Sequence, residues 1–307
     1  MRKLVTLGLI QMSVSADRQE NLSKALKLVE TATKMGAQIV CLPELFATRY
    51  FPQNRESTVK PENIPGPTSN LLSNVAKKNN VVLIGGSIFE KGGGRNYNTS
   101  VVIDHNGKLL GKYRKVHIPE DEAFYEQDYF SAGNSYEVFQ TKFGKICVLI
   151  CFDQWYSEPA RISKLLGADI IFYPTAIGIV KGIEQTEGNW HEAWESVQRG
   201  HAIANSAIVV AVNRVGREGK MNFWGGSFVY DQFGKLLARG DKSKEEVIVV
   251  ECDLNLGKQI EATYYPHDPC VNLPNIRDSR RNSKNIYATL KLGTSTNSLT
   301  KSTKENL

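Results

Sequence analysis

The chain has 307 residues, of which 41% are hydrophobic, enough for a substantial core in one large or two small domains. Its formal charge of +6 is spread along the chain without interleaved aromatic and basic residues, which argues against nucleic-acid binding. Its five cysteines form no CxxC or Cys/His pairing, and no apolar run is long enough to cross a bilayer. We therefore expect reduced thiols in a cytoplasmic protein, without a disulfide framework, a zinc site or a membrane span.

Predicted strands and helices alternate along most of the chain, which favours an α/β fold. Apolar and β-branched runs predict strands, and apolar residues at helical spacing predict helices. The predicted strands are residues 5–13, 37–42, 81–89, 97–104, 108–114, 146–150, 168–173, 208–212, 223–230, 235–239 and 247–252. The predicted helices are residues 21–34, 68–79, a helix beginning near residue 157, and residues 189–205.

The sequence shows no sign of a division into several domains. It contains no internal linker and no tandem repeat, so we predict a single domain over residues 1–292. Residues 293–307 are mostly Ser, Thr, Lys and Asn, with almost no apolar content, and we predict that they form a disordered C-terminal tail.

Cys151 lies where a predicted strand ends and a helix is about to begin. Ser157 is suited to cap that helix, with Glu158 and Pro159 in its first turn. A thiol at such a junction is accessible and lies near the positive end of a helix, where it ionises more easily. A lone cysteine in an apolar run is more often a small buried hydrophobe, as we expect Cys147 to be. Cys151 is therefore a candidate nucleophile only in combination with other residues.

Glu44 and Lys115 also directly follow predicted strands. Each alone is more typical of a solvated loop or of a surface charge, but the carboxyl ends of strands are where open α/β folds build their sites. With Cys151 attacking a carbonyl carbon, Glu44 can take the thiol proton and pass it to a leaving amine, if burial raises the pKa of its carboxyl. Lys115 and the backbone N–H of Phe152 can then stabilise the oxyanion.

Three stretches around these residues resemble the three motifs of the nitrilase (carbon–nitrogen hydrolase) superfamily. They are residues 42–46 (LPELF), 113–119 (YRKVHIP) and 150–155 (ICFDQW), and the resemblance extends to about residue 255. It implies a four-layer α-β-β-α sandwich and a catalytic triad of Glu44, Lys115 and Cys151. It also implies a second glutamate, Glu126, that orients Lys115 and the substrate. The resemblance implies no metal and no organic cofactor. It does imply a homo-oligomer that is built first as a dimer.

Within the superfamily, residues 151–161 (CFDQWYSEPAR) and 125–130 (YEQDYF) are most similar to the branch that hydrolyses N-carbamoylputrescine. That resemblance implies ammonia release, a thiocarbamoyl enzyme, and final products putrescine and carbon dioxide, in polyamine biosynthesis. Residues 120–134 are acidic and aromatic, and we predict that they form a loop at the active site. Residues 120–124 are more acidic than the loop of that branch, and residues 265–285 match it poorly. Two alternatives stay open: a related amidase or β-ureidopropionase acting on another carbamoyl amine or amide, and a catalytically silent nitrilase-like binding module.

The far end of such a carbamoyl amine is an ammonium ion, so its pocket should offer an aromatic face or a carboxylate. The candidate substrate-binding residues are Tyr50, Tyr125, Phe152, Trp155 and Thr175. The acidic candidates for holding the ammonium are Glu126, Asp128, Asp153 and Glu187.

Overall fold

The computed structural model describes residues 2–183 and 186–264. Its helices are α1 (Arg18–Lys34), α2 (Pro67–Asn79), α3 (Ser157–Leu165), α4 (Trp190–Asn205) and α5 (Asn255–Tyr264). Its strands, in chain order, are β1 (Leu4–Gln11), β2 (Ile39–Cys41), β3 (Val82–Ile84), β4 (Ile88–Gly92), β5 (Arg95–Ile103), β6 (Leu109–Arg114), β7 (Glu120–Asp121), β8 (Phe124–Tyr125), β9 (Val138–Thr141), β10 (Gly144–Val148), β11 (Ile170–Thr175), β12 (Gly178–Val180), β13 (Ile208–Asn213), β14 (Val215–Glu218), β15 (Met221–Trp224), β16 (Phe228–Tyr230), β17 (Leu236–Arg239) and β18 (Glu246–Asp253).

Two large mixed sheets form the centre of the fold. The first has the strand order β18-β1-β2-β3-β5-β4, with β6 added beside β5, and the second has the order β17-β16-β13-β11-β10-β9. Strands β1, β2 and β3 run parallel, as do β10, β11 and β13. Strand β12 pairs with β15, β15 pairs with β14, and β7 and β8 form a short hairpin.

The helices cover the outer faces of the two sheets. Helix α1 packs on β1 and β18, and α2 on β5, whereas α4 packs on β13 and contacts α3. Between the sheets, β1 contacts β13. The predicted α/β class and its four-layer α-β-β-α arrangement are confirmed.

Helix α1 shows how the sequence selects this packing. The Asp17 carboxylate accepts the backbone N–H groups of Gln19 and Glu20 at 2.7 and 3.2 Å, which caps the helix. Four of its buried apolar residues recur at intervals of three or four positions: Leu22, Ala25, Val29 and Ala32. This stripe faces the first sheet and joins its core.

The predicted strand at 81–89 is interrupted, and the interruption makes room for the segment that carries Glu44. Gly86 has a left-handed backbone with φ of +55°, and a Cβ at this position would lie 2.1 Å from the Pro43 carbonyl oxygen. Next to it, the Ser87 hydroxyl accepts the Leu45 backbone N–H at 2.9 Å. The chain therefore forms two strands, β3 and β4, because a continuous strand would collide with the loop after β2.

Three further predictions about elements require correction. The strand predicted at 223–230 is divided into β15 and β16 at Gly225 and Gly226, whose φ angles are +56° and +64°. Ser157 is the first residue of α3 and not its cap, because residues 151–155 form a 3₁₀ helix and the extended Tyr156 precedes α3 directly. Residues 120–134, expected as a loop, contain β7, β8 and a 3₁₀ turn.

Part of the predicted domain 1–292 and all of the predicted tail 293–307 lie outside the described residues. None of the helices in the described part of the chain combines the length and apolar character that crossing a bilayer requires.

Candidate active site

A buried ammonium between two buried carboxylates forms the centre of the site. Lys115 Nζ lies 2.8 Å from both carboxylate oxygens of Glu126 and 3.0 Å from Glu44 Oε1. All three side chains are at most 1% exposed. Glu44 follows β2, Lys115 follows β6, and Glu126 begins the 3₁₀ turn after β8, so ends of different elements deliver the three groups.

The carboxylate of Glu44 is held on one side only. Asn98, in the middle of β5, donates its side-chain N–H to Glu44 Oε1 at 2.8 Å, the same oxygen that Lys115 contacts. Glu44 Oε2 is buried and has no hydrogen-bond partner among the described residues. This free oxygen is available to accept a hydrogen bond or a proton from a neighbouring group.

Cys151 starts a short 3₁₀ helix directly after the second sheet's β10. Its backbone is left-handed, with φ of +41°, an unusual conformation for a residue with a side chain. The Asp153 carboxylate stabilises this turn by accepting the Ile150 backbone N–H at 2.8 Å and the Tyr113 hydroxyl at 2.8 Å. Strained backbone of this kind is typical of functional sites.

The thiol belongs to the same electrostatic cluster as the three charged groups. Burial, followed by the charge of Glu44, raises the pKa of the Cys151 thiol well above its ordinary value, against the opposing effect of the Lys115 ammonium. Burial also lowers the pKa of Lys115, but the charges of Glu126 and Glu44 outweigh it and raise the pKa of that ammonium overall. Burial raises the pKa of Glu126 to about 6, against the effect of Lys115.

These shifts correct the expectation that Cys151 ionises easily. Two carboxyl groups and one ammonium already surround the thiol, and a thiolate would add a further negative charge in a buried space. The resting thiol is therefore neutral, and the positive end of the short helix does not compensate for this burial. Cys151 becomes a nucleophile only when a base removes its proton during the attack, which is the role that the free oxygen of Glu44 fits.

A second buried ion pair fixes the segment between Glu44 and Tyr50. Arg214 and Glu218 lie 2.9 Å apart and are at most 1% exposed. Arg214 donates to the Thr48 carbonyl at 2.9 Å, and Glu218 accepts the Tyr50 backbone N–H at 2.7 Å. Tyr50 in turn donates its hydroxyl to Glu126 Oε1 at 2.8 Å. The pair thus holds the backbone of the segment that supplies both Glu44 and the hydroxyl contact to Glu126.

A cavity of about 260 Å³ opens over Cys151. Its walls include five acidic residues, Glu120, Asp121, Glu122, Glu126 and Glu187, and four aromatic residues, Phe124, Phe152, Trp155 and Trp190. None of the described residues that line it is Lys or Arg. A larger cavity of about 830 Å³ lies beside residues 45–62 and is lined by none of the four predicted catalytic residues.

The predicted substrate-binding residues are distributed unevenly around this cavity. Phe152 and Trp155 line it, and Tyr50 lies behind Glu126. Tyr125 and Thr175 are not brought to its walls. The Tyr125 ring is covered by the Arg55 guanidinium at 4.1 Å, and the Thr175 hydroxyl donates to the Tyr173 carbonyl at 2.9 Å within β11.

The acidic candidates are also separated by the structure. Glu126 and Glu187 line the cavity, whereas Asp153 is committed to Ile150 and Tyr113, and Asp128 pairs with Arg55 at 3.0 Å. Sequence reasoning missed Asn98, because a polar residue inside an alternating strand carries no signal of its own. It predicted an active-site loop at residues 120–134 but did not include Glu120, Asp121 or Glu122 among the acidic candidates for the ammonium, although their acidity was the available signal. In the described part of the chain, no group of three or more His, Cys, Asp and Glu residues is arranged to hold a metal ion.

Comparison with known proteins identifies the family of this chain. The family model described as carbon-nitrogen hydrolase matches residues 6–262, and the chain belongs to that family. The fold and the family define a hydrolase that acts on carbon–nitrogen bonds. The crystal structure of a carbon-nitrogen hydrolase from Helicobacter pylori G27 matches with a TM-score of 0.79 and 34% identity, covering 90% of this chain and 97% of that chain.

Relatives with similar sequence identity to this chain are named for different activities. N-carbamoylputrescine amidase of Solanum lycopersicum is 38% identical over 265 residues, covering 82% of this chain and 87% of that protein. Citrullinase of Francisella tularensis is 36% identical over 257 residues, covering 81% and 89%. Omega-amidase NIT2 of Bos taurus is 38% identical over 266 residues, covering 83% and 90%.

We expect Asn98→Ala to lower kcat by about 10- to 100-fold, the value of one hydrogen bond to a charged group, with little change in KM. Without the amide, Glu44 loses one of the two groups that hold its Oε1 and rotates away from the thiol. Asn96→Ala, two residues earlier in β5, is the matched control. Steady-state kinetics of the two variants check this prediction, and equal kcat values for them would contradict it.

Proposed function

We propose that this chain hydrolyses N-carbamoylputrescine to putrescine, carbon dioxide and ammonia, through a thiocarbamoyl intermediate on Cys151. The observation that carries the proposal is the charge of the cavity over Cys151. Five of its described wall residues are acidic and none is basic, which suits a substrate whose far end is an ammonium ion. The N-carbamoylputrescine amidases among the similar relatives support the same choice.

The reaction follows from the positions of the four central groups. Glu44 removes the thiol proton as the Cys151 sulfur bonds to the ureido carbon, and the carbonyl oxygen becomes an oxyanion beside Lys115 and the Phe152 backbone N–H. The bond from carbon to the terminal nitrogen then breaks, and Glu44 gives its proton to the departing ammonia. A thiocarbamoyl group remains on the sulfur, with the putrescine nitrogen still attached to its carbon.

The second half of the reaction reverses the proton transfers. Glu44 takes a proton from a water molecule, which attacks the thiocarbamoyl carbon. The carbon–sulfur bond breaks, and the sulfur recovers a proton from Glu44. The released carbamate decomposes to putrescine and carbon dioxide without further help from the protein.

The alternative substrates differ at the end that faces the acidic walls. Citrulline, the substrate that the name citrullinase gives for the Francisella relative, carries a carboxylate beside an ammonium at its far end, and N-carbamoyl-β-alanine carries a carboxylate alone. A carboxylate there would face walls whose described lining residues include acidic side chains and no lysine or arginine, which is unfavourable. A silent binding module would have no use for the clustered Glu44, Lys115, Glu126 and Cys151.

A substrate panel tests the proposal directly. Ammonia release is measured with N-carbamoylputrescine, N-carbamoyl-β-alanine, citrulline and a simple aliphatic amide. We expect the highest kcat/KM for N-carbamoylputrescine. A higher value for either carboxylate-bearing compound would overturn the proposed substrate and leave the hydrolase in place, and no turnover of any compound would favour a binding module.

The pH dependence of the reaction should report on Glu126. Its pKa is raised to about 6, so the carboxylate that holds Lys115 is ionised above that pH and protonated below it. We therefore expect kcat/KM to fall as the pH drops through about 6. In Glu126→Gln, activity should be low throughout and this acid limb should be absent. An unchanged limb in the variant would assign the titration to another group.

Compartment and assembly stay predictions. We propose a cytoplasmic protein, with which the free thiols of Cys41, Cys147, Cys151 and Cys252 are compatible. We also propose a homo-oligomer built from dimers, which family resemblance suggests. Sedimentation of the purified chain checks the second proposal, and a monomer at micromolar concentration would contradict it.

A further inference from the structure

We propose that Glu187, together with the indole rings of Trp155 and Trp190, forms the subsite that holds the ammonium end of the substrate and sets the preference for it. This inference rests on the proposed function and deepens it. It assigns the ammonium to one carboxylate among the several that line the cavity.

The geometry of the three side chains suits a cation. They line the same cavity as Cys151. The two indole rings are nearly perpendicular, with an interplanar angle of 88° and ring centroids 5.8 Å apart, so they form two walls of a corner. Glu187 Oε2 accepts the Trp190 indole N–H at 3.3 Å, which places a carboxylate beside that corner. Aromatic faces with an adjacent carboxylate are a favourable environment for an ammonium ion.

The other acidic walls of the cavity are already engaged. Glu120 pairs with Arg55 at 3.2 Å, and Glu122 pairs with Lys220 at 3.3 Å. Glu126 is committed to Lys115 at 2.8 Å. Among the described residues, Glu187 has no cationic partner, and its one hydrogen-bond donor is the neutral indole of Trp190. Its negative charge is therefore available to a ligand.

Asp121 is the remaining acidic wall residue, and its surroundings differ. Its carboxylate accepts the backbone N–H of the next residue, Glu122, at 2.7 Å, within the hairpin of β7 and β8. On either side of it stand the two glutamates that are paired with Arg55 and Lys220. Asp121 therefore offers the same charge without the two indole rings, which makes it the matched control for Glu187.

The subsite is also fixed relative to the reacting sulfur. Trp155 is the last residue of the 3₁₀ helix that begins with Cys151, so one short rigid element carries both the nucleophile and one wall of the corner. A substrate held by its ammonium end in this corner would keep a constant orientation to the thiol. A chain that ends in a methyl group would lose this anchor but could still enter the cavity.

The kinetic test compares Glu187→Gln with Asp121→Asn on two substrates that share a four-carbon chain, N-carbamoylputrescine and butylurea, of which only the first carries an ammonium. We expect Glu187→Gln to lower kcat/KM for N-carbamoylputrescine about tenfold, mainly through KM, because the subsite is partly open to solvent. Butylurea hydrolysis should stay within about twofold, since it has no ammonium, and Asp121→Asn, which removes the same charge from the cavity wall, should lower kcat/KM for N-carbamoylputrescine clearly less than Glu187→Gln does. Equal effects of the two variants on N-carbamoylputrescine would overturn the inference.

A binding readout separates this inference from the proposed function. Putrescine should protect Cys151 from alkylation by iodoacetamide in the wild type and in Asp121→Asn, and about tenfold more putrescine should be needed in Glu187→Gln. If N-carbamoylputrescine is not hydrolysed but this difference is seen, the proposed function fails and the cation subsite stands. If hydrolysis occurs and protection is the same in all three proteins, the subsite is wrong and the proposed function stands.

Discussion

Cys151→Ala should lose at least about 10⁴-fold in kcat on the best substrate of the panel, because no other group can form the covalent intermediate. Cys151 is 7% exposed and its thiol makes a long hydrogen bond to the Ala176 carbonyl at 3.9 Å, so its removal costs little packing. The far-ultraviolet circular dichroism spectrum and the unfolding midpoint should therefore stay close to those of the wild type. Ammonia release and urea unfolding measure the two properties on the same preparation.

Cys252→Ala is the control for this substitution. Cys252 is also a free buried cysteine, but it lies in β18 and contacts none of the catalytic groups described above. Its replacement should leave kcat within about twofold, as expected for a residue outside the site. Substantial turnover by Cys151→Ala, or an equal loss in both variants, would contradict the assignment of the nucleophile.

Lys115→Met should remove activity and also destabilise the fold by about 3–5 kcal/mol near neutral pH. The ammonium is the cation that both Glu44 and Glu126 contact, at 3.0 and 2.8 Å, so its loss leaves two buried carboxylates facing each other. Neither carboxylate then has the ammonium that compensates its negative charge in the wild type. Lys142→Met, at an exposed turn residue, is the control and should change stability by no more than about 0.5 kcal/mol.

The destabilisation should depend on pH with a defined sign. In the wild type, the folded-state pKa of Glu126 is already about 6, above its ordinary value, and loss of Lys115 raises it further. Between the unfolded pKa and this raised pKa, the folded state of the variant binds more protons than the unfolded state. Its free energy of unfolding therefore rises as the pH falls. Urea unfolding at pH 8 and pH 5.5 should show a smaller deficit at pH 5.5, and an equal or larger one would contradict this account.

The convergence of Glu44, Lys115 and Cys151 could be predicted because each follows a strand. Strand periodicity places β2, β6 and β10 with good accuracy, and the polar residue after each of them stands out against an apolar run. Ends of strands in layered α/β folds meet at common edges, so three such residues have a physical reason to lie together. The family motifs then select these three among other strand ends.

The partners that satisfy the buried charges could not be predicted in the same way. Asn98 lies 54 positions from Glu44 along the chain, and only the pairing of β5 within the first sheet brings its amide to that carboxylate. Likewise, Gly86 reads as part of a continuous strand, and its left-handed conformation is required by the approach of the Pro43 carbonyl. Long-range contacts of this kind leave no periodic signal in the sequence.

For Cys151, the local sequence predicts a lowered pKa of the thiol, whereas the assembled site raises that pKa. The start of a helix favours a thiolate, and a local reading of the chain includes this effect alone. The structure adds burial and two carboxylates against one ammonium, and together these keep the proton on the sulfur. The sum of charges around a group decides its pKa, and that sum is a property of the assembled site.

Peptide mass mapping of enzyme quenched in acid during turnover tests the central claim most directly. With the best substrate of the panel, we expect a single carbamoyl or acyl group on the peptide that contains Cys151, and on no other peptide. Glu44→Gln should slow both the formation and the removal of this group, without changing the residue that carries it. A covalent group on a different residue, or full turnover without any modified Cys151 in either protein, would contradict the mechanism.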